Sequence, residues 1–337
     1  MTLKVTLAEE GDAELWDDIV NNSQHGTIFH RWKWLKITEM HSKAKLYPII
    51  FYRGKKIIAL YPMFVYKGKI FKIAYSPPPE MNLIYMGPVM KDYETLDQYK
   101  KERLFTEIQK CLDSYLFETL SCGIVRIHLS PGLYDSRPLV WCGYKINSGY
   151  TYKLDISGGL ESIWNNFHPK LRATINRSLR KGVFVKEGDE SNLHQIIAEL
   201  TRRRREEKAV VNEDNSFYHH IIKEFKNNIK IFLCYYQDKL VGNVVVLLDR
   251  DTVRCWMGTP KFYEKGIYGN DVVCWEAIKW AHNHSYRYFE NMDFGYKQEL
   301  ALFKSRFNSV PVIWFEGRKY SSRLWRLGES IFGRQSS

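Results

Sequence analysis

Apolar residues recur at helical spacing over residues 12–20, where Ala13, Leu15, Trp16, Ile19 and Val20 share one face. A second, aromatic helix is predicted over 29–40, after the turn-like Ser23-Gln24-His25-Gly26. The period then changes to two. Residues 45–52, 55–66 and 69–75 read as strands, with Arg53-Gly54-Lys55 and Lys67-Gly68-Lys69 as hairpin turns that place Gly at the tight position. Ser76-Pro77-Pro78-Pro79 stops the sheet pattern, because proline supplies no backbone donor. Residues 97–120 form a long amphipathic helix with Leu104, Ile108, Leu112 and Leu116 four apart, and 123–129 and 140–156 supply further strands.

The second half repeats this plan. The pattern predicts helices over 160–181, 192–207 and 217–225, with a strand over 183–187. Strands follow at 229–237, 240–249 and 253–258, then a helix over 270–285, a strand over 288–294, a short helix over 300–307 and a strand over 310–316. Each half reads helix, helix, antiparallel strands, helix, strand. That order points to an internal structural duplication, although no repeat is visible residue by residue. Residues 321–332 add a closing amphipathic helix. Mixed antiparallel strands among helices give an α+β class, not a doubly wound parallel sheet. No G-x-G-x-x-G follows a strand and no G-x-x-x-x-G-K-[ST] occurs, so dinucleotide and P-loop readings lack their carriers. Gly266 and Gly269, with Lys265 and Asn270, stand just before or at the start of the 270–285 helix, where backbone amides can cradle a phosphate.

The chain has 337 residues, of which 45% are hydrophobic and 15% aromatic, enough to bury the cores of two domains. No apolar run approaches the ~20 residues of a membrane-spanning helix, and the first ten residues lack a secretory layout. The expectation is a soluble cytoplasmic protein and a monomer. Six dispersed cysteines without a C-x-x-C pair, and histidines without H-E-x-x-H, argue against a disulfide framework and against a metal site. The formal charge of +12 favours an anionic partner: a phosphate-bearing co-substrate, nucleic acid or anionic lipid.

Two stretches carry a family resemblance. "IWNNFHPKLRATINRSLRKGVFV" resembles the helix-into-strand pattern of the FemABX family of aminoacyl-tRNA-dependent peptidyltransferases and their FemAB-like relatives in the GNAT superfamily. Trp164, Phe167, Lys170, Arg172, Ile175, Arg177, Arg180, Gly182, Val183 and Val185 carry it. Farther on, "YFENMDFGYKQELALFKSRFNSVPVIWF" is similar to the family's C-terminal pattern at Asp293, Gly295, Leu300, Phe303, Lys304, Phe307 and Pro311. The resemblance implies two tandem GNAT-like domains over 1–156 and 157–317, the second carrying acyl transfer. Residues 318–337 would be a helix returning to the first domain. It further implies no tightly bound cofactor, an acyl-CoA or aminoacyl-tRNA co-substrate, and a cell-envelope precursor as acceptor, with peripheral contact to a membrane-linked substrate.

Acyl transfer to an amine passes through a tetrahedral oxyanion and needs a donor where that charge develops, with a route for the amine proton. By resemblance Lys304 is the candidate for the first task, with Phe303 packing beside the acceptor-end adenosine. Asp293 and His128 are candidates for the proton, and His128 stands where some relatives carry an acid. For substrate binding the candidates are Lys36 after Trp34, Arg172 and Arg177 on the basic helix, and Arg205 in "LTRRRREEK". That arginine run also fits a salt-bridged helix face. An acyl-CoA donor would use Lys265, Gly266, Gly269 and Asn270. The rival class is a non-enzymatic GNAT-fold scaffold or a basic nucleic-acid-binding protein; the absence of a helix-turn-helix, RNP strand or zinc finger weighs against specific nucleic-acid readout.

Overall fold

A computed structural model describes residues 3–68, 71–206, 216–258, 265–292 and 297–322, without the side chains of 194 and 203–206. The chain forms two units, 1–149 with 313–337, and 150–312. The first contains β1 (Lys4–Leu7), α1 (Ala13–Asn22), α2 (Trp32–His41), β2 (Lys45–Arg53), β3 (Lys56–Lys67), β4 (Lys72–Ser76) and β5 (Val89–Met90). It goes on through α3 (Gln98–Ser114), β6 (Cys122–His128), α4 (Arg137–Trp141) and the start of β7 (Lys145–Asp155). The second runs through α5 (Leu160–Asn166), α6 (Pro169–Arg180), β8 (Phe184–Gly188), α7 (Glu190–Glu206), α8 (Ser216–Glu224), β9 (Ile229–Tyr236), β10 (Lys239–Asp249) and β11 (Thr252–Gly258). It closes with α9 (Gly269–Asn283), β12 (Tyr288–Asn291), α10 (Gln298–Ser305) and the start of β13 (Val310–Tyr320).

The same strand order occurs in both units. In the first it is β1-β2-β3-β4-β6-β13, and in the second β8-β9-β10-β11-β12-β7. In each, an antiparallel hairpin leads to a third strand, and a crossover helix, α3 or α9, returns the chain to a strand parallel to it: β4 with β6, β11 with β12. A parallel pair requires such a crossover. The last strand of each unit is antiparallel to its neighbour, β13 on β6 and β7 on β12. The strand that follows β6 in sequence thus completes the second unit, and the strand that follows β12 completes the first. The duplicated α+β plan of the sequence is present, with its final strands exchanged.

The amphipathic pattern places the cores. Leu104, Ile108, Leu112 and Leu116 of α3 are buried against Phe51 and Val125 in the first unit, each such side chain stabilising by about 1.5–3 kcal/mol. In the second, Leu171 and Ile175 of α6 meet Val272 of α9 and Phe289 of β12.

Local departures have local causes. The single helix expected over 160–181 is two, because Pro169 opens α6 at its first turn and the residue before a proline avoids the helical region. His168 caps α6, its Nδ1 accepting from the Lys170 amide at 3.2 Å. The buried face of α6 is Leu171, Thr174, Ile175 and Ser178, whereas Leu179, four residues beyond Ile175, is exposed. Steps of four overshoot the helical repeat by about 40° each, so alternating steps of three and four track the core and repeated fours leave it. The start of the strand expected over 140–156 is instead the short helix α4, with Pro138 in its first turn. The helix predicted over 321–332 lies outside the described residues from 323 on.

Candidate active site

In the second unit β11 and β12 run parallel only from the Thr252–Tyr288 pair to the Cys255–Asn291 pair, and β11 then continues to Gly258. The pairing of β12 with β11 ends there, at the carboxyl end of the parallel strands. α10 delivers Lys304 to this point. The side chain is 9% exposed, and its Nζ donates to the Met292 carbonyl, next after β12, at 2.9 Å. Phe303, half-buried, packs edge to face on Phe307 at 5.5 Å, with the Arg306 guanidinium 5.3 Å from its ring.

Two thiols share this neighbourhood. Burial pushes the Cys255 thiol up to about 11 against the pull of Lys304, and burial, with the charges of Cys255 and Asp271, holds Cys274 well above its ordinary value. Both stay protonated near neutrality, so neither is a ready nucleophile.

α9 begins beside these groups. Asp271, in its first turn, is 3% exposed; it accepts from the Thr174 hydroxyl of α6 at 2.6 Å and from Arg306 at 2.9 Å. A carboxylate at a helix N-terminus is favoured by the aligned peptide dipoles. Even so, burial dominates and keeps its pKa above the ordinary value, with Arg306 and Thr174 opposing. The His168 amide donates to the Arg306 carbonyl at 2.9 Å, so α6, α9 and the end of α10 are tied together around the Lys304 helix. Asp271, Thr174 and Arg306 were not singled out from the sequence; the acid inside the first turn of the 270–285 helix was the available signal.

The other predicted residues fall as follows. Gly266 has φ +75°, a left-handed conformation suited to glycine. Lys181 Nζ lies over the same loop, donating to the Lys265 carbonyl at 3.2 Å. Gly269 seats the helix: a Cβ there would lie 2.1 Å from the Val241 carbonyl oxygen of β10, and Asn270 follows on the same contact with Gly242. On α6, Arg172 is half-buried with its Nε in no hydrogen bond, and Arg177 is exposed. Lys170, Arg172 and Arg177 meet no carboxylate among the described residues. Asp293 and the Arg205 side chain lie outside the described residues; the neighbouring Arg202 pairs with Glu199.

His128 and Lys36 belong to the first unit. Lys36 is exposed and bonds Glu39 at 2.7 Å. His128 ends β6, with Nδ1 2.8 Å from the Ile84 carbonyl oxygen. A carbonyl only accepts, so Nδ1 carries the proton and Nε2 is the basic nitrogen of the neutral ring. Burial lowers the His128 pKa, with Arg126 and Arg318 adding to it and the Ile84 hydrogen bond and Glu316 opposing. The same unit holds an open cleft of about 500 Å³ bordered by Lys110, Phe117, Trp141 and Lys319, with none of the predicted site residues. Lys319 there bonds Asp113 at 2.6 Å, and Asp113 also accepts from Tyr144 at 2.6 Å.

No group of three metal-ligating side chains occurs among the described residues, and no described helix is long and apolar enough to cross a membrane.

Comparison with known proteins adds the following. Residues 168–299 match the family model described as an acetyltransferase (GNAT) domain. The fold is similar to FemX, with a TM-score of 0.69 at 11% identity over 98% of this chain and 99% of that one. It is also similar to a tandem GNAT protein from the clavulanic acid biosynthesis pathway, TM-score 0.58 at 8% identity over 95% and 99%. A third similar structure is L-PGS from Bacillus licheniformis, TM-score 0.56 at 13% identity over 98% of each chain. At these identities the likeness is one of fold. No curated protein matches the sequence.

Proposed function

We propose, from the premise that this is a tandem-GNAT chain of FemAB-like fold whose second unit is an acyltransferase domain, that it moves an aminoacyl or acyl group onto an amine or hydroxyl of a cell-envelope precursor. The observation that carries this reading is the buried Lys304 ammonium at the carboxyl end of β12, where its pairing with β11 ends. A cation held in a place poor in water stabilises a developing oxyanion far more than one in solution. The envelope acceptor rests on the family resemblance of the sequence.

The face of α6 favours aminoacyl-tRNA as donor, because Lys170, Arg172 and Arg177 are cations with no carboxylate to neutralise them among the described residues. Each phosphate they neutralise releases counterions and makes binding fall with salt. A second reading, acyl-CoA as donor, is favoured by the loop before α9, where Lys181 and the left-handed Gly266 lie beside the helix N-terminus. In the first unit, His128 supplies a nitrogen suited to accepting the amine proton, and Lys36 is kept as an acceptor contact.

The test is transfer of label from charged tRNA and, separately, from acetyl-CoA to envelope-precursor acceptors, with wild type and Lys304→Met. Methionine keeps the buried stem and removes the charge. Loss of an oxyanion donor is expected to lower kcat by about 10²–10³. A K304M variant that turns over as wild type, or a wild type that binds neither donor, overturns the reading.

A further inference from the structure

Asn291 holds the last register position of β12, opposite Cys255. Side chains alternate across a strand, so Asn291 shares the face of Phe289, which lies in the core with Val272 and Val273 of α9. Cys255 packs against that core too, and Lys304 reaches the same place from α10 to bond the carbonyl of the next residue, Met292, at 2.9 Å. Asn291 is 3% exposed, and its Nδ2 has no hydrogen-bond acceptor. Its own carbonyl is used, accepting from Thr151 at 3.2 Å, so the backbone is fixed while the side-chain amide is unspent. Buried amide donors are nearly always paired, because desolvating one without a partner is costly.

An unspent donor at the end of the β11–β12 pairing, one residue before the carbonyl that a buried ammonium holds, fits an acceptor oxygen brought by substrate. Resting on the acyl-transfer reading above, we infer that Asn291 is a second, neutral donor to the carbonyl oxygen of the transferred group, acting with the charged Lys304. In the step, the acceptor amine's lone pair forms the new C–N bond and the carbonyl π pair moves onto oxygen, where Asn291 Nδ2 and Lys304 Nζ hold it. The pair then returns as the bond from carbon to the leaving ester oxygen or thioester sulfur breaks, and the amine proton ends on that leaving atom. No oxidant, metal or covalent enzyme intermediate enters the balance.

The experiment replaces Asn291 by Leu, similar in shape and without polar atoms. Melting and turnover are measured on the full chain with whichever donor wild type uses. Removal of an unpaired buried polar group is expected to leave the melting temperature equal or higher. The same change is expected to lower kcat by about 10²-fold with donor KM within about twofold, as for loss of one oxyanion donor. Asn291→Ser provides a second variant if the leucine protein does not fold, with the same expected loss. Unchanged kcat in either folded variant, while K304M is impaired, overturns the role of Asn291 and leaves the acyl-transfer reading standing. Absence of transfer by wild type overturns both.

Discussion

Replacing Arg254 by Met should be among the most damaging single changes in the second unit. Arg254 on β11 is 7% exposed and joins two carboxylates that are each 2% exposed: Asp249 on β10, at 3.3 Å, and Glu290 on β12. One guanidinium thus spans three adjacent strands, next to the last residue pair of β11 and β12. Met preserves most of the stem but takes the shared cation from both acids, and breaking a buried pair from one side costs about 3–5 kcal/mol. For a denaturant slope near 3 kcal/mol per M, the urea midpoint of the unit should fall by about 1–1.7 M. Changing all three together, R254M with D249L and E290M, removes the two acids as well as the cation they share, leaves the part-exposed Arg250, which pairs with Asp249 at 3.9 Å, to solvent, and should recover stability to within about 1 kcal/mol of wild type. The assay is urea unfolding followed by tryptophan fluorescence, since Trp256 and Trp275 lie in this unit. A loss below about 1 kcal/mol for the single variant, or a triple variant no better than the single, would falsify the view that these charges depend on one another.

Two further outcomes depend on pH. The Asp271 carboxyl titrates above its ordinary value because burial outweighs Arg306 and Thr174, so the folded chain holds that proton more tightly than the unfolded one. Its contribution is present in full below the unfolded value of 3.8 and is lost as pH rises through the folded value. Wild type should therefore lose stability relative to Asp271→Asn across that window, measured by paired urea midpoints from acid to neutral pH; a gain instead would mean that the Arg306 pair wins. For His128, the lowered pKa keeps Nε2 neutral below 6.5. As the proton acceptor, it should give kcat/KM an acid limb falling below that value, and Asn at the position should abolish the limb with about a 10²-fold loss of rate. An acid limb that survives in H128N assigns the proton to another group.

The candidates named from the sequence rest on local pattern and on the family resemblance. The Phe303-Lys304 pair, the basic strip of α6 and the glycines before α9 are short-range features, and short-range features survive in a linear reading. Asp271, Arg306, Thr174 and Asn291 were not legible as a group. Each is an ordinary residue in its own segment, and they matter because α6, α9, α10 and β12 meet. Thr174 and Asp271, 2.6 Å apart, are separated by 97 positions in the chain.

The sequence by itself determined the α+β class, the order of elements and their near-duplication, since hydrophobic period and turn residues act over a few residues at a time. It also determined that α6 is cationic, whereas Pro169, which separates α5 from α6, lay inside the single helix expected over 160–181. The tertiary structure alone decided which strand completes each unit. β7 and β13 have similar patterns and either could pair with β6 or β12 by periodicity; the choice is made by long-range pairing, which period cannot encode. Tertiary packing likewise decided which polar side chains are desolvated. An arginine and an asparagine with no local peculiarity become a buried strand clamp and an unspent donor only once the sheet and its helices have closed around them.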